Sequence, residues 1–270
     1  MNHLMIDAYG ADEGRLDSLN NVYNFLSALA SALHLDVVTP PNLTPYYYAK
    51  DINDDGISAF SLLIGGHITI HTFPRRKCLF ADVLYDGYFD ENNALQLLKT
   101  FFSYESIKVL RTERRYLDTT IEESKKYNGK SEFDFGPHTI AKIEDIDITF
   151  EQIFDMLDEL PGIISMKKIS RPLVIKSTQN KPDYISGIVL IAQSHIAFHY
   201  SINEKTLFCD AFSCSFFRIE KFVEYLNEKL GEGINMTLIR GSKHESKIAS
   251  RDAKIVSLSN WMDISRGNKK

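Results

Sequence analysis

Two histidines in the second half of the chain, His195 and His199, are followed by Cys209 and Cys214. Imidazole nitrogens and thiolates are the ligands that zinc prefers, so these four residues first suggest a zinc site. Both histidines lie in a strand-like apolar run, however, where residues four apart share a face about 13 Å apart, too far to bind one ion. The sequence therefore predicts no metal site.

A serine and a histidine come together in a predicted β-hairpin of the first half. Apolar runs flank Gly65-Gly66, which is typical of a two-residue turn. With these glycines as the turn, His71 lies opposite Phe60, and Ser58 is the diagonal neighbour of His71 on the same face. The Cα atoms of Ser58 and His71 would then lie about 7–8 Å apart.

The same register pairs Ser186 with His199 in the second half of the chain. A serine–histidine pair can transfer protons in catalysis. It can also be a hydrogen-bonded pair of polar residues that is buried where the sheet packs on another layer. The residues alone leave both interpretations open.

The chain contains an internal repeat. SAFSLLIGGHITIHTFPRRKCLFADVLYDG (58–87) aligns without a gap with SGIVLIAQSHIAFHYSINEKTLFCDAFSCS (186–215), and nine of the 30 positions are identical. The segment 119–136 is polar and charged, without a periodic pattern, which favours a linker. We therefore predict a first unit at 1–118 and a second unit at 137–270.

The two copies differ at two positions where reactivity could lie. Gly66 is replaced by Ser194 at the turn, and Asp86 is replaced by Cys214. A serine in a turn usually serves only to stabilise the turn by hydrogen bonds to the backbone, and an isolated cysteine is usually a small core residue. His199 lies five residues from Ser194, about 16 Å along an extended strand, so it is too far to act on that serine. His71 of the other unit is the alternative partner.

Periodicity predicts the elements that position these residues. In the first unit it predicts strands at 3–9, 58–64, 67–73, 79–85 and 107–113, and helices at 15–33 and 92–102. In the second unit it predicts strands at 139–143, 173–177, 207–212 and 236–240, a hairpin at 186–200, and helices at 150–160 and 219–230. Two helices cover only one face of such a sheet, so the other face needs a partner. The predicted fold class is α+β, with two repeated α/β units packed sheet-on-sheet as an α/β/β/α sandwich.

Composition excludes several classes of function. With 31 basic and 36 acidic side chains and a formal charge of −5, the chain has no polybasic footprint for nucleic acid or a membrane surface. No apolar run approaches the roughly 20 residues of a membrane span, and the first residues become acidic too early for a secretory signal. Three cysteines do not form a disulfide framework. We therefore expect a cytoplasmic protein that acts on a small molecule, with a homodimer left open.

The motifs resemble those of prokaryotic, pyruvoyl-dependent S-adenosylmethionine decarboxylases. That family shows G-x-H-x-x-A-E, then S-G-V-V-V-I-A-E-S-H-[IL]-[ST]-I-H-T-W-P-E, then D-[VL]-F-T-C. Here SGIVLIAQSHIAFHY and DAFSC match in the second unit, and HLMIDAYGAD, SAFSLLIGGHITIHTFP and ADVLYD match in the first. Nearly the whole chain is covered, as a tandem fusion of two family units.

The resemblance implies a proenzyme that cleaves itself between Gln193 and Ser194 and leaves a pyruvoyl cofactor on Ser194. That carbonyl would form a Schiff base with the substrate amine and accept electrons as CO₂ leaves. Cys214 would return a proton to the substrate carbon, and Ser58 and His71 of the opposite half would assist processing. The implied role is a decarboxylase of polyamine (spermidine) biosynthesis.

Several positions depart from the family pattern. Gln193 replaces a glutamate, and Arg75 replaces the glutamate that binds the ribose hydroxyls. The adenine-stacking aromatic residues correspond to Ile52 and Ile143, and Glu144 is an alternative ribose ligand. Arginine or ornithine is therefore an alternative substrate. An uncleaved, non-catalytic regulatory or binding homologue is the alternative from another class.

Overall fold

A computed structural model of the protein describes residues 1–116, 118–123, 138–177, 183–192, 194–215, 217–231, 235–238 and 256–257, with only the backbone described at 118–123, 235–238 and 256–257. The chain divides into two compact units, Met1–Glu132 and Phe133–Lys270. Within the described residues, no helix combines the length and the apolar character needed to cross a bilayer.

The first unit is a seven-stranded antiparallel sheet with helices. Its strands are β1 (Asn2–Tyr9), β2 (Asn42–Tyr46), β3 (Gly56–Leu63), β4 (Gly66–Phe73), β5 (Cys78–Tyr85), β6 (Ser106–Glu113) and β7 (Asp118–Glu123), in the order β2-β3-β4-β5-β1-β6-β7. Its helices are α1 (Glu13–Leu16), α2 (Leu19–Ala32) and α3 (Glu91–Phe102), with short 3₁₀ turns at Ile52–Asp54 and Pro74–Arg76.

The second unit repeats this topology over its described residues. Its strands are β8 (His138–Ile143), β9 (Leu173–Ser177), β10 (Tyr184–Ile191), β11 (Ser194–Ser201), β12 (Thr206–Phe212), β13 (Asn235–Leu238) and β14 (Val256–Ser257), in the order β14-β13-β8-β12-β11-β10-β9. Its helices are α4 (Phe150–Ile163) and α5 (Ile219–Leu230). The predicted repeat and the α+β class are confirmed, because the strand orders correspond one to one.

Two predictions about the first unit were wrong in detail. The helix predicted over 15–33 is two helices, because the hydroxyl of Ser18 accepts a hydrogen bond from the N–H of Asn21 and begins α2 there. The segment 119–136, predicted as a linker, begins with most of β7, which pairs with β6. Residues 124–136 lie outside the described part of the chain.

Alternation along the hairpin strands separates the two faces of each sheet. Ile68 and Ile70 of β4 belong to the apolar core that includes α2 and α3, and Ile196 and Phe198 of β11 belong to the core that includes α4 and α5. The residues between them lie on the opposite face, and they are buried as well. That second face carries the polar residues of the two hairpins, namely His67, Thr69, His71, His195 and His199.

Candidate active site

Ser58 and His71 of the first unit lie on adjacent strands and are in contact through their side chains. Ser58 lies directly opposite His71, and Ser58 Oγ is 2.9 Å from His71 Nδ1 with both side chains fully buried. The predicted diagonal register was wrong, since the turn is Ile64-Gly65 and Gly65 takes the left-handed φ of 66°. The difference is two residues, an even number, so the predicted face of the sheet is unchanged.

The second unit contains the matching pair. Ser186 lies directly opposite His199, and Ser186 Oγ is 3.0 Å from His199 Nδ1. Both side chains are buried. The units thus carry the same serine–histidine arrangement, which makes the histidines matched positions for mutagenesis.

Ser194 is the first residue of β11 rather than a turn residue, and it is fully buried. The strand before it ends at Ile191, which lies opposite Ser194. Gln193, the other residue of the predicted cleavage site, lies outside the described residues. The N–H of Ala192 donates to the carbonyl of Lys167 at 2.8 Å, which ties the tip of the hairpin to the segment after α4.

Cys214 meets Ser194 through its backbone. The N–H of Cys214 donates to Ser194 Oγ at 2.8 Å, and Cys214 Sγ lies 3.7 Å from the carbonyl oxygen of Ala192. Both residues are buried. This contact is available because β12 ends at Phe212, after which the chain turns toward Ser194.

The first unit has no space for a side chain at the equivalent position, Gly66. A Cβ atom there would lie 2.0 Å from the carbonyl oxygen of Leu84 in β5. Asp86, the counterpart of Cys214, accepts a 2.6 Å hydrogen bond from Arg115. The structural difference between the units therefore lies at the end of the strand beside the hairpin.

Two residues predicted to bind substrate, Ile52 and Arg75, lie on the 3₁₀ turns of the first unit, and both are exposed. Arg76 joins these turns through ion pairs with Asp51 at 2.9 Å and Asp54 at 2.6 Å. The neighbouring ion pairs therefore hold the segments of Ile52 and Arg75 together.

Local hydrogen bonds shape the electrostatics of this surface. The backbone N–H of Asn53 lowers the pKa of the Asp51 carboxyl, with a smaller contribution from the charge of Arg76. Burial and a hydrogen bond to Asp17 raise the pKa of Tyr47 to about 12. The Asp51 carboxylate thus keeps its charge, and Tyr47 stays neutral, near pH 7.

Ile143 and Glu144 occupy different environments. Ile143 is 3% exposed and belongs to the core beneath α4 and α5, so it lies on the face opposite His199. The substrate contact of Ile143 stays a prediction. Glu144 is exposed and forms a 2.7 Å ion pair with Lys142.

A buried group of two histidines and one aspartate was not predicted. In the second unit Asp210 Oδ1 lies 2.7 Å from His138 Nε2 and 3.6 Å from His195 Nε2. The repeat contained a signal for it, since His67/His195 and Asp82/Asp210 are identical pairs. His138 was missed because the gap-free alignment that relates His67 to His195 does not place His138 opposite its structural counterpart, His3.

Comparison with protein families identifies the chain. The family model described as S-adenosylmethionine decarboxylase matches residues 2–115 and 145–240, which together exceed half of the chain. The chain belongs to the S-adenosylmethionine decarboxylase family. The two matched segments fall in the two structural units, as expected for a tandem fusion of two family units.

Other comparisons add little to the family match. No curated protein matches the chain. One solved structure, described as that of a proposed glycine cleavage system transcriptional repressor, shares 9% identity over 88% of this chain and 97% of its own, with a TM-score of 0.22. A score this low carries no argument about fold or function. The family assignment therefore rests on the family model and the motifs, and it places the chain in a family of decarboxylases that generally use a pyruvoyl group.

Proposed function

We propose that the protein is a self-processing, pyruvoyl-dependent amino-acid decarboxylase whose nucleophile is Ser194. The observation that supports this most is the 2.8 Å hydrogen bond from the Cys214 N–H to Ser194 Oγ. Because the donor is a backbone N–H, its position does not depend on the rotamer of the Cys214 side chain. The first unit has Gly66 at this position, where the Leu84 carbonyl leaves no room, so only the second unit carries the nucleophile.

Processing begins with attack of Ser194 Oγ on the carbonyl carbon of Gln193. The new C–O bond forms as the C–N amide bond breaks, so an ester replaces the amide and the nitrogen of residue 194 becomes a free amine. Loss of the Cα proton of residue 194 then breaks the bond between its Cβ and Oγ. A carboxylate remains on Gln193, and a dehydroalanine remains at residue 194. Water adds to the imine tautomer of this residue and ammonia leaves, which generates the pyruvoyl group.

The residues around Ser194 fit this group. The position is buried, and the Cys214 thiol lies beside the turn that precedes it. When present, the pyruvoyl carbonyl supplies the electrophile and the electron sink for loss of CO₂. Cys214 is the proposed acid that returns a proton to the substrate carbon, and the burial of both residues limits access of water to that carbon.

His71 is the histidine that we propose to assist processing. We expect His71→Ala to slow cleavage at least about 100-fold, the usual contribution of a general acid or base, and His199→Ala to leave the rate nearly unchanged. Each variant removes one imidazole from an equivalent buried serine pair, with hydrogen bonds of 2.9 and 3.0 Å. Their effects on folding should therefore be similar. The measurement is the fraction cleaved over time, followed by denaturing electrophoresis.

Thermal unfolding of both variants provides the control for this comparison. Similar midpoints together with unequal cleavage rates would support a chemical role for His71. Slow cleavage in His199→Ala with normal cleavage in His71→Ala would contradict the assignment.

The substrate is proposed to be an amino acid smaller than S-adenosylmethionine, such as arginine or ornithine. A guanidinium has donors but no acceptor, so Arg75 cannot accept hydrogen bonds from ribose hydroxyls as a glutamate does. Ile52, at 57% exposure, offers no aromatic ring to adenine, and loss of base stacking costs about 1–3 kcal/mol. Both changes weaken an adenosyl pocket, whereas a smaller amino acid needs neither feature.

A CO₂-release assay with S-adenosylmethionine, arginine and ornithine at equal concentrations tests the proposal. We expect turnover of one of the smaller substrates to exceed that of S-adenosylmethionine about tenfold or more, in line with the loss of stacking. Arg75→Glu should shift the preference toward S-adenosylmethionine. Efficient turnover of S-adenosylmethionine alone would contradict the substrate assignment, and no release from any of the three would favour the non-catalytic alternative.

A further inference from the structure

The buried His138–His195–Asp210 group of the second unit has the donor set of a metal centre. Its three side chains come from β8, β11 and β12, and all three are fully buried. One donor atom from each residue lies within 4.8 Å of the other two. Two imidazoles and a carboxylate suit zinc and other first-row divalent ions, not calcium or magnesium.

The separation of Asp210 and His195 is close to that of two ligands of a tetrahedral zinc ion. Two ligand atoms that are each about 2.0–2.1 Å from a tetrahedral zinc lie about 3.4 Å apart. Asp210 Oδ1 lies 2.7 Å from His138 Nε2 and 3.6 Å from His195 Nε2, on either side of this value. To accommodate an ion, the Asp210–His138 separation would have to widen by about 0.7 Å, whereas the Asp210–His195 separation is already within about 0.2 Å of the tetrahedral value.

Sheet register explains why the three side chains converge. His195 and His138 both lie opposite Phe212 of the strand between them, and Asp210 is on the same face of that strand, two positions before Phe212. The Phe212 ring packs against both imidazoles, with centroid distances of 5.4 and 6.0 Å. The strands thus present the three donors without a loop that must close around the ion.

The first unit contains the same three residue types in a different arrangement. Asp82 Oδ1 lies 3.8 Å from His3 Nε2, and Asp82 Oδ2 accepts a 3.0 Å hydrogen bond from Thr69 Oγ1. The buried Arg114 guanidinium lies 3.2 Å from His3 Nδ1. The positive charge of Arg114 disfavours binding of a cation beside His3, and the Thr69 hydroxyl already occupies one oxygen of the Asp82 carboxylate. The second unit has Ala197 where the first has Thr69, so the residue opposite Asp210 offers no hydroxyl.

We propose that His138, His195 and Asp210 bind one divalent transition-metal ion, with zinc as the best match, independently of the decarboxylase chemistry proposed above. His195 and His199 are too far apart along one strand to share an ion. Asp210 instead lies on the strand beside that of His195, and His138 lies on the next strand, so both approach His195 across the sheet. Three protein ligands are the number found in zinc sites that keep one position for water or another small ligand.

Zinc content of the full-length protein tests this proposal directly. The protein is stripped with a chelator, dialysed against zinc chloride, freed of excess ion and measured by elemental mass spectrometry. We expect about one zinc per chain in the wild type, and none bound stoichiometrically in Asp210→Asn, which removes the anionic ligand. His199→Ala is the matched control, because it removes a buried imidazole that lies on the same strand as His195 and contacts Ser186, and it should retain the zinc of the wild type.

Ala197→Thr keeps all three ligands and introduces opposite Asp210 the hydroxyl that Thr69 has opposite Asp82 in the first unit. It therefore tests the site even if Asp210→Asn fails to fold. We expect it to bind zinc about tenfold or more weakly, as other changes next to metal ligands do. Cobalt(II) in place of zinc should give the visible absorption of a tetrahedral complex in the wild type. Absence of stoichiometric zinc from the wild type would overturn the proposal. Zinc content in Asp210→Asn equal to that of the wild type would also overturn it, as would a loss of zinc in His199→Ala equal to that in Asp210→Asn.

Discussion

Replacement of Ser194 by alanine is expected to abolish self-cleavage and leave a single full-length chain. The wild type should instead give two fragments, 1–193 and 194–270, the smaller one beginning with a pyruvoyl group instead of a free amine. The expected effect is all-or-none because alanine has no atom that can attack the Gln193 carbonyl. Intact-mass spectrometry after prolonged incubation distinguishes these species.

Ser186→Ala is the matched control for that experiment. Ser186 is also a buried serine of the second unit, and its hydroxyl contacts His199 rather than Cys214. This variant should still produce both fragments. An uncleaved wild type would favour the non-catalytic alternative, and cleavage of Ser194→Ala at the same bond would show that another group is the nucleophile.

Gly66→Ala is expected to lower the free energy of unfolding by at least about 3 kcal/mol, at the upper end of overpacking effects. The added Cβ would lie 2.0 Å from the Leu84 carbonyl oxygen and 2.8 Å from its carbon. These atoms belong to the backbone of β5, which pairs with a strand on both sides, so β5 cannot move aside cheaply. Urea unfolding followed by circular dichroism measures the change.

Gly162→Ala, near the end of α4, provides the comparison. No atom lies within 4 Å of the position that its Cβ would occupy. Alanine there should raise stability by about 0.5–1 kcal/mol, because it reduces the freedom of the unfolded chain and favours the helix. A Gly66→Ala protein as stable as the wild type would show that β5 can yield, and the first unit could then accept a serine.

Much of this fold could be predicted from the sequence because its signals are local. Alternating apolar runs located the hairpin strands, and helical spacing located α3, α4 and α5 within a few residues. The prediction missed β2 and most of β7. Residues 42–46 include Pro45 and lack clean alternation, and β7 lies in a charged segment that resembles a linker. Pairing with a neighbouring strand stabilises both as edge strands, and that information is not local.

The candidate site was predictable only in part. The hairpin pattern placed Ser58 with His71 on one face although the assumed turn was wrong, because a two-residue error in register preserves the face. The same reasoning could not place Ile143, since Ala141, Ile143 and Ile148 fit an apolar core as well as a ligand pocket, and only the position of α4 and α5 shows which they line.

By itself, the sequence determined the internal duplication, the family and the residues that differ between the two units, since these properties depend only on residue identity and spacing. The tertiary structure decided the rest. It showed that the Leu84 carbonyl excludes a side chain at Gly66, that the Cys214 N–H reaches Ser194, and that His138 joins Asp210. These relations join atoms on different strands, and they depend on where β5 and β12 end. No local pattern in the sequence specifies contacts of that kind.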